Sequence, residues 1–275
     1  MAQALDSATD AGSLWFAFGL TLLAGLSTGI GGVITVVYRN PGPRFMAGAL
    51  GFSAGVMLYV SFMEILPKGF EELTDAWGGT GGAWAAVAGF FGGIALIALI
   101  DRLVPEPINP HEPGTIDDPQ VAAKRRRMMK MGAMTALAIA IHNFPEGFAT
   151  FIAALKDPAL AIPVAVAIAI HNVPEGIAVA VPIQQATGSK GKALKWSFLS
   201  GLAEPAGAIV GFLVLMPFLG PATMGVTFAM IAGVMVFIAL DELLPTAEAT
   251  GRHHTAIYGL IAGMGVMALS LLLMV

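Results

Sequence analysis

Long apolar runs constrain the fold of this chain more than any other feature. The sequence contains eight of them, most about 20 residues or longer, and a helix of that length crosses a hydrocarbon layer of about 30 Å. With 56% apolar and only 12% charged residues, the chain is far from a soluble domain, in which roughly 25% of residues are charged. We therefore predict an all-α integral membrane protein. The predicted spans are Leu14–Val37, Phe45–Pro67, Ala83–Asp101, Met131–Leu155, Ala159–Thr187, Trp196–Leu219, Ala222–Pro245 and Thr255–Val275.

The basic residues predict how the chain is oriented in the membrane. Short cytoplasmic loops hold Lys and Arg in excess, and 12 of the 14 basic residues lie in the loops after the first, third, fifth and seventh spans. Only Lys68 and Lys156 lie on the other side, so both termini are expected outside. The stretch 105–130, Pro-rich and acidic before it reaches "KRRR", is then a cytoplasmic loop. This charge distribution predicts no nucleic-acid binding.

Two internal repeats indicate an inverted symmetry. Residues 138–149 and 167–178 are identical at 10 of 12 positions. They lie on consecutive spans, which run in opposite directions, so a twofold axis in the membrane plane relates them. Residues 54–67 and 232–245, on the second and seventh spans, match at 7 of 14 positions. The pattern predicts one transmembrane domain, 1–275, with eight helices in a three-two-three arrangement. Its parts are the first three helices (14–104), the cytoplasmic loop (105–130), the central helix pair (131–187) and the last three helices (196–275).

The first repeat places polar side chains near the middle of two apolar spans. Each copy has His and Glu four residues apart, with Asn directly after His, and residues four apart share one helical face. The prolines of the two copies, Pro145 and Pro174, remove amide donors, so we expect a kink and polar backbone beside these side chains. The candidate metal ligands of the two copies are His142, Asn143, Glu146, His171, Asn172 and Glu175.

Acidic residues inside the apolar spans indicate a bound cation. A carboxylate at a helix centre costs about 2.5 to 3.5 kcal/mol in a membrane, yet no Lys or Arg lies within 131–155 or 196–251. A proton or a bound cation must therefore neutralise the central acids. The chain has no Cys, and a site of His nitrogen with carboxylate and amide oxygen suits a divalent transition metal. The acids within the spans are Glu64, Glu146, Glu175, Glu204, Asp241 and Glu242.

Other functions stay open on the residues alone. A single intramembrane His is more often a packing residue than a ligand, and it is the duplication, together with Glu204, that favours a metal site. An intramembrane metallohydrolase also holds His and Glu in the bilayer, but it usually carries HExxH or a separate general base. A metal-gated cation channel or a proton channel is the other alternative, and saturable, slow flux would speak against it.

These motifs resemble the ZIP family of metal-ion transporters, in particular its bacterial zinc-uptake members of broad metal range. The resemblance covers nearly the whole chain. It rests on the eight spans, on "HNFPEG", "HNVPEG" and "GLAEPAG", and on the "MEILP" and "DELLP" ends of the second and seventh spans. Many relatives carry a His-rich third loop, whereas this chain has only His111 there.

The resemblance implies two adjacent metal positions that share the two glutamates of the repeat. The first position consists of His142, Glu146, His171 and Glu175, and the second adds Asn143, Asn172 and Glu204 to the two glutamates. Such ligands suit Zn(II), Fe(II), Mn(II), Co(II) and Ni(II).

The resemblance also implies how such a protein works. It would be a homodimer in the bacterial cytoplasmic membrane that takes up metal ions as substrates, with no resident cofactor and no enzymatic activity. The first, fourth, fifth and sixth spans would move against the other four, which opens a midplane site alternately to each side.

The remaining acids predict a path to and from the central site. Span two runs outward, so Glu64 near its end lies toward the outside. Span seven runs inward, so Glu242 lies toward the cytoplasm, with Asp241 beside it. We expect these acids to pass the cation into and out of the site, and Pro67 and Pro245 to end the two helices just beyond them.

Overall fold

The computed structural model describes residues 11–38, 42–103, 119–156, 158–215 and 220–272, and every regular element among them is a helix. Two short π-helical turns, π1 (Ser61–Ile65) and π2 (Ala239–Leu243), lie within longer helices. The α-helices are α1 (Ala11–Val37), α2 (Pro43–Val60), α3 (Leu66–Trp77), α4 (Gly79–Leu103), α5 (Pro119–Lys156), α6 (Pro158–Thr187), α7 (Lys190–Gly201), α8 (Ala203–Leu215), α9 (Pro221–Ile238), α10 (Leu244–Glu248) and α11 (His253–Leu272).

Six stretches of the described helices are long and apolar enough to cross a membrane. Each overlaps one of the predicted spans outside the central pair, so the all-helical, membrane-spanning interpretation is confirmed. The central pair corresponds to α5 and α6, with 38 and 30 residues, and the count of eight spans stays a prediction. The six stretches are Gly12–Val37, Pro43–Trp77, Gly79–Leu99, Lys190–Val214, Pro221–Glu248 and His253–Leu272.

The distribution of side chains fits a protein surrounded by lipid. Large apolar side chains such as Trp15, Phe91 and Leu213 are exposed on the outside of the bundle. Fully buried positions include polar and acidic side chains such as Asn172 and Glu175. In water this arrangement would be unfavourable, whereas in a bilayer intramembrane acids belong in the protein interior.

Two boundaries differ from the sequence prediction. Helix α5 begins at Pro119, so residues 119–130, predicted as the end of a loop, are helical. Proline is favourable at the first helical position, and the Ala, Lys and Arg that follow are good helix formers. The earlier part of that loop, with His111, lies outside the described residues. The predicted sixth span is two helices, α7 and α8, which separate at Leu202.

Pro67 and Pro245 do not end their helices, and that prediction is wrong. The chain continues as helix to Trp77 after Pro67 and to Glu248 after Pro245. A proline lacks the amide that would bond the carbonyl four residues earlier, and its ring crowds that carbonyl. In this protein the helix widens ahead of each proline and then resumes.

The widening produces π1 and π2. The amide of Leu66 donates to the carbonyl of Ser61, and the amide of Leu244 donates to the carbonyl of Ala239. Both bonds reach back five residues, one more than in an α-helix. The two turns occupy the same position in the two copies of the second repeat, and such turns are frequent at functional sites.

The helices pack as two groups. One group contains α1 and α5 to α8, and the other contains α2 to α4 and α9 to α11. The most extensive contacts join α1 to α6, α5 to α6 and α5 to α8 in the first group, and α2 to α11 and α4 to α9 in the second. Across the groups α2 packs on α6, and α9 packs on α5. The division coincides with the two sets of spans that the family resemblance separates.

Glycines bring paired helices into backbone contact, and these contacts occur in matched pairs. A β-carbon at Gly147 would overlap the carbonyl of Glu204 in α8, and one at Gly176 would overlap the carbonyl of Thr28 in α1. Gly147 and Gly176 are the same position of the duplicated motif. Small residues permit this close approach of helices in lipid. Gly147 lets α5 pack closely on α8, and Gly176 lets α6 pack in the same way on α1.

The second group shows the same matching. A β-carbon at Gly55 in α2 would overlap the carbonyl of Leu260 in α11, and one at Gly233 in α9 would overlap that of Phe90 in α4. Gly55 and Gly233 are equivalent in the second repeat. Exchanging α5 with α6, α1 with α7–α8, α2 with α9 and α4 with α11 therefore reproduces the principal helix contacts.

Candidate metal centre

The polar residues of the duplicated motif lie in the interior of the first helix group. Glu146 in α5 is 2% exposed, and Glu175 in α6 and Glu204 at the start of α8 are 0% exposed. Asn143, His171 and Asn172 are also fully buried. The backbone of His142 is helical, but its side chain lies outside the described part of the structure.

Direct contacts join the two copies of the motif to each other and to the second helix group. Nε2 of His171 lies 3.1 Å from Oε1 of Glu146. The hydroxyl of Ser53 in α2 donates to the backbone oxygen of His171 at 3.2 Å and lies 3.5 Å from Oε1 of Glu175. Ser53 is a site residue that the sequence reasoning missed. The available signal was its position directly before the second repeat, which begins at Ala54.

The two asparagines make equivalent contacts with the flanking helices. Nδ2 of Asn143 donates to the carbonyl of Ser200 at 3.3 Å, and Nδ2 of Asn172 donates to the carbonyl of Ala24 at 3.0 Å. Nδ2 of Asn172 also donates to Oε1 of Glu204. These bonds direct the nitrogen of each amide toward a backbone carbonyl of the neighbouring helix. The oxygen of each amide is left for another partner.

Three buried oxygens of the two asparagines and of Glu204 lack a hydrogen-bond donor among the described residues. They are Oδ1 of Asn143, Oδ1 of Asn172 and Oε2 of Glu204. A buried polar atom without a partner costs about 1 to 3 kcal/mol. Amide and carboxylate oxygens are ligands for divalent cations, so these atoms suit a cation or the water molecules bound to one.

The carboxylates of the site repel one another. Glu204 interacts electrostatically with both Glu146 and Glu175, and these two also interact with each other. Like charges in a low-dielectric interior repel strongly, and the sequence places no Lys or Arg within 131–155 or 196–251. A bound divalent cation would offset this repulsion, because it attracts each of the three carboxylates.

The prolines of the motif act differently in the three helices. The assigned helices α5 and α6 continue through Pro145 and Pro174. Pro205, in contrast, lies just after a break in the helix, between α7 and α8. The break occurs because Pro205 has no amide to donate to the carbonyl of Gly201. The break places Glu204 in the first turn of α8.

No group of three His, Asp or Glu side chains in the described part of the chain is already arranged to hold a metal ion. The side chain of His142, one of the ligands predicted from the sequence, lies outside that part. What the described residues bring together is three carboxylates, one imidazole and two amides from α5, α6 and α8.

The acids predicted to line the path lie elsewhere, in the π turns. Glu64 in π1 is half-buried and forms an ion pair with Lys68, one turn later. In π2, Asp241 is exposed and Glu242 is half-buried. None of the three belongs to the buried cluster of α5, α6 and α8.

Comparison with known proteins places these features in a family. Residues 108–271 match the family model described as ZIP Zinc transporter. The zinc transporter ZupT of Corynebacterium efficiens is 69% identical over 267 residues, which cover 97% of this chain and 100% of the relative. ZupT of Corynebacterium glutamicum is 71% identical over 94% of this chain and 99% of its own length. ZupT of Streptococcus mutans is 58% identical over 95% of this chain and 98% of its own.

Proposed function

The chain belongs to the ZIP zinc transporter family, and we propose that it carries Zn(II) across the cell membrane through the buried His, Asn and Glu cluster. The observation that supports this most directly is the burial of Glu146, Glu175 and Glu204 together, while the sequence has no Lys or Arg within 131–155 or 196–251. Such a group is costly in a membrane unless a cation binds it. As a member of this family the protein is a transporter and not an enzyme.

The cluster would hold the ion as cargo. We assign Glu146 and Glu175 as the carboxylates shared by two adjacent metal positions, with His142 and His171 at one position and Asn143, Asn172 and Glu204 at the other. Imidazole, carboxylate and amide without thiolate suit Fe(II), Mn(II), Co(II) and Ni(II) as well as Zn(II). We therefore propose a broad range of metals led by zinc and iron.

Transport would use the two helix groups as the two moving parts. The contacts between them are limited mainly to α2 on α6 and α9 on α5, whereas the ligands lie within one group. A relative displacement would expose the cluster to one side of the membrane and then to the other. The matched glycine contacts support an inverted repeat of three, two and three helices within one domain.

The orientation follows from the basic residues. We propose eight spans with both termini outside, in a multi-pass protein of the bacterial cytoplasmic membrane, with uptake directed into the cell. We also propose that the protein is a homodimer in lipid, as the family resemblance implies.

Metal flux into proteoliposomes that contain only this protein tests the proposed function. We expect saturable uptake of Zn(II), and slower uptake of Mn(II), reported by a metal-sensitive dye inside the vesicles. Empty vesicles and vesicles with the Glu146→Ala variant are the controls. Absence of flux for every divalent ion would overturn the proposal, linear non-saturating flux would indicate a channel, and cleavage of lipid or peptide would indicate a metallohydrolase.

Neutral replacement of the acids in the π turns tests the proposed path. We expect Glu64→Gln to slow uptake from outside and Glu242→Gln to slow release inside, each roughly threefold or more, because a charged group near a path raises the local cation concentration. Equilibrium Zn(II) binding to purified protein should change little, since neither acid belongs to the buried cluster. Stopped-flow measurements of Zn(II) transport in both directions give the rate of uptake from outside and the rate of release inside.

A matched control for this experiment is Glu71→Gln, which removes an exposed carboxylate from α3, just beyond π1. It should leave both rates unchanged. If Glu64→Gln and Glu242→Gln also transport at the wild-type rate, these acids only solvate the helix, and the path must lie elsewhere.

A further inference from the structure

Helix α1 carries three threonines at seven-residue spacing, all buried. The hydroxyl of Thr21 donates to the carbonyl of Ala17 at 3.0 Å, and that of Thr35 donates to the carbonyl of Gly31 at 3.1 Å. This is the ordinary way in which a buried threonine satisfies its hydroxyl in a helix. The hydroxyl of Thr28, in contrast, has no hydrogen-bond partner among the described residues.

The exception has a local cause. The carbonyl that Thr28 would use, four residues earlier, belongs to Ala24. That oxygen already accepts the amide of Asn172 at 3.0 Å and the hydroxyl of Ser27. The side chain of Asn172 belongs to the candidate metal centre, so the same contact that orients a proposed ligand also leaves the hydroxyl of Thr28 available.

The matched contacts show which position Thr28 occupies. A β-carbon at Gly25 would lie 3.2 Å from Cβ of Glu204, and a β-carbon at Gly201 would lie 2.9 Å from Cβ of Thr28. The carbonyl of Glu204 contacts Gly147 as the carbonyl of Thr28 contacts Gly176. Thr28 therefore stands in α1 where Glu204 stands in α8.

A short sequence match agrees with this equivalence of Thr28 and Glu204. Residues 25–28 read "GLST" and residues 201–204 read "GLAE", so two of four positions agree. Such a short match carries no weight until the helices are seen to cross in the same way. Glu204 accepts a hydrogen bond from Asn172. The residue of the first repeat equivalent to Asn172 is Asn143, whose Oδ1 also lacks a partner among the described residues.

We propose that Thr28 is a further residue of this cation site and helps to set its metal preference. Its hydroxyl is a neutral oxygen donor from α1, placed opposite the carboxylate of Glu204, and it contacts the hydrated ion. The inference rests on the proposed function of the cluster. The two halves of the site then differ in charge, since α1 has the hydroxyl of Thr28 at the position where α8 has the carboxylate of Glu204. A hard oxygen donor contributes more to the binding of Mn(II), which prefers oxygen ligands, than to the binding of Zn(II).

The test compares Thr28→Val, which removes the hydroxyl at nearly constant shape, with Thr28→Ser, which keeps it, and with Thr21→Val as the matched control. Full-length protein in detergent is titrated with Zn(II) and with Mn(II) against a fluorescent chelator. We expect Thr28→Val to weaken Mn(II) binding about tenfold and Zn(II) binding about threefold, as loss of one hydrogen-bonding oxygen suggests. Thr28→Ser and Thr21→Val should bind both metals like the wild type.

The outcomes separate this inference from the proposed function. If Thr28→Val keeps the wild-type affinities and their Mn(II) to Zn(II) ratio, or if Thr21→Val changes them equally, Thr28 has no role in the site, although wild-type flux would still stand. If the wild type itself transports no metal, the proposed function fails instead. Should Thr28→Val not fold, Thr28→Ala answers the same question, with Thr21→Ala as its control.

Discussion

Replacing Glu146 or Glu175 by alanine is expected to abolish Zn(II) transport. Each change removes a buried carboxylate, and with it negative charge that the proposed site needs to hold a divalent ion. Breaking a buried charge pair costs about 3 to 5 kcal/mol, which corresponds to roughly a 100-fold or greater loss of affinity. Uptake of Zn(II) into proteoliposomes, at equal amounts of reconstituted protein, measures the effect.

The control for this prediction is Glu71→Ala, which removes an exposed carboxylate and should transport like the wild type. Asn143→Ala should have a milder effect than either glutamate variant, because it removes an uncharged side chain of the proposed site and its hydrogen bond to the carbonyl of Ser200. Wild-type flux through the Glu146→Ala protein would refute the assignment of the metal site.

Replacing Gly176 by alanine is expected to destabilise the protein and to stop transport. The added methyl group would overlap the carbonyl of Thr28, and a backbone carbonyl in a packed helix cannot move away as a flexible side chain can. Forcing extra volume into a packed interior costs about 1 to 3 kcal/mol, which lowers the unfolding midpoint of a chain of this size by roughly 2 to 12 °C. Thermal unfolding in detergent and Zn(II) uptake measure the two effects. Transport suffers as well because Glu175 precedes Gly176 directly.

Gly92→Ala is the matched control. Gly92 also lies within a helix, α4, but a β-carbon there meets no atom within 4 Å. Alanine is a better helix former than glycine by up to about 1 kcal/mol, so this variant should be as stable as the wild type or slightly more. An unchanged unfolding midpoint for Gly176→Ala would mean that α1 and α6 do not approach each other as closely as the structure indicates.

The sequence predicted the helices well where hydrophobicity alone decides them. Six predicted spans correspond to long apolar helices, because burial in lipid depends on the local run of residues and on little else. The sequence failed at the helix boundaries. It did not anticipate that α5 starts at Pro119 or that the chain continues as helix beyond Pro67, since a proline in a helix can be accommodated by widening the preceding turn.

The candidate ligands were accessible to sequence reasoning for a different reason. Glu146 and Glu175 belong to duplicated motifs, and a four-residue spacing places side chains on one face of a helix whatever surrounds it. The partners of these residues were not accessible. Ser53 and Thr28 are ordinary residues of apolar helices, and the sequence signals beside them, the start of the second repeat after Ser53 and the two-residue match around Thr28, gain meaning only once the helix contacts are known.

The sequence by itself therefore determined the membrane environment of this protein, its helical class and which side chains we propose as ligands of a cation, because these follow from composition and from spacing within one helix. Only the tertiary structure decided which helices cross and at which residues. The carbonyl of Ala24 meets the amide of Asn172, and that of Thr28 meets Gly176, because glycines let two particular backbones touch. Contacts between residues so far apart in the chain depend on how whole helices pack, and no local pattern of residues encodes them.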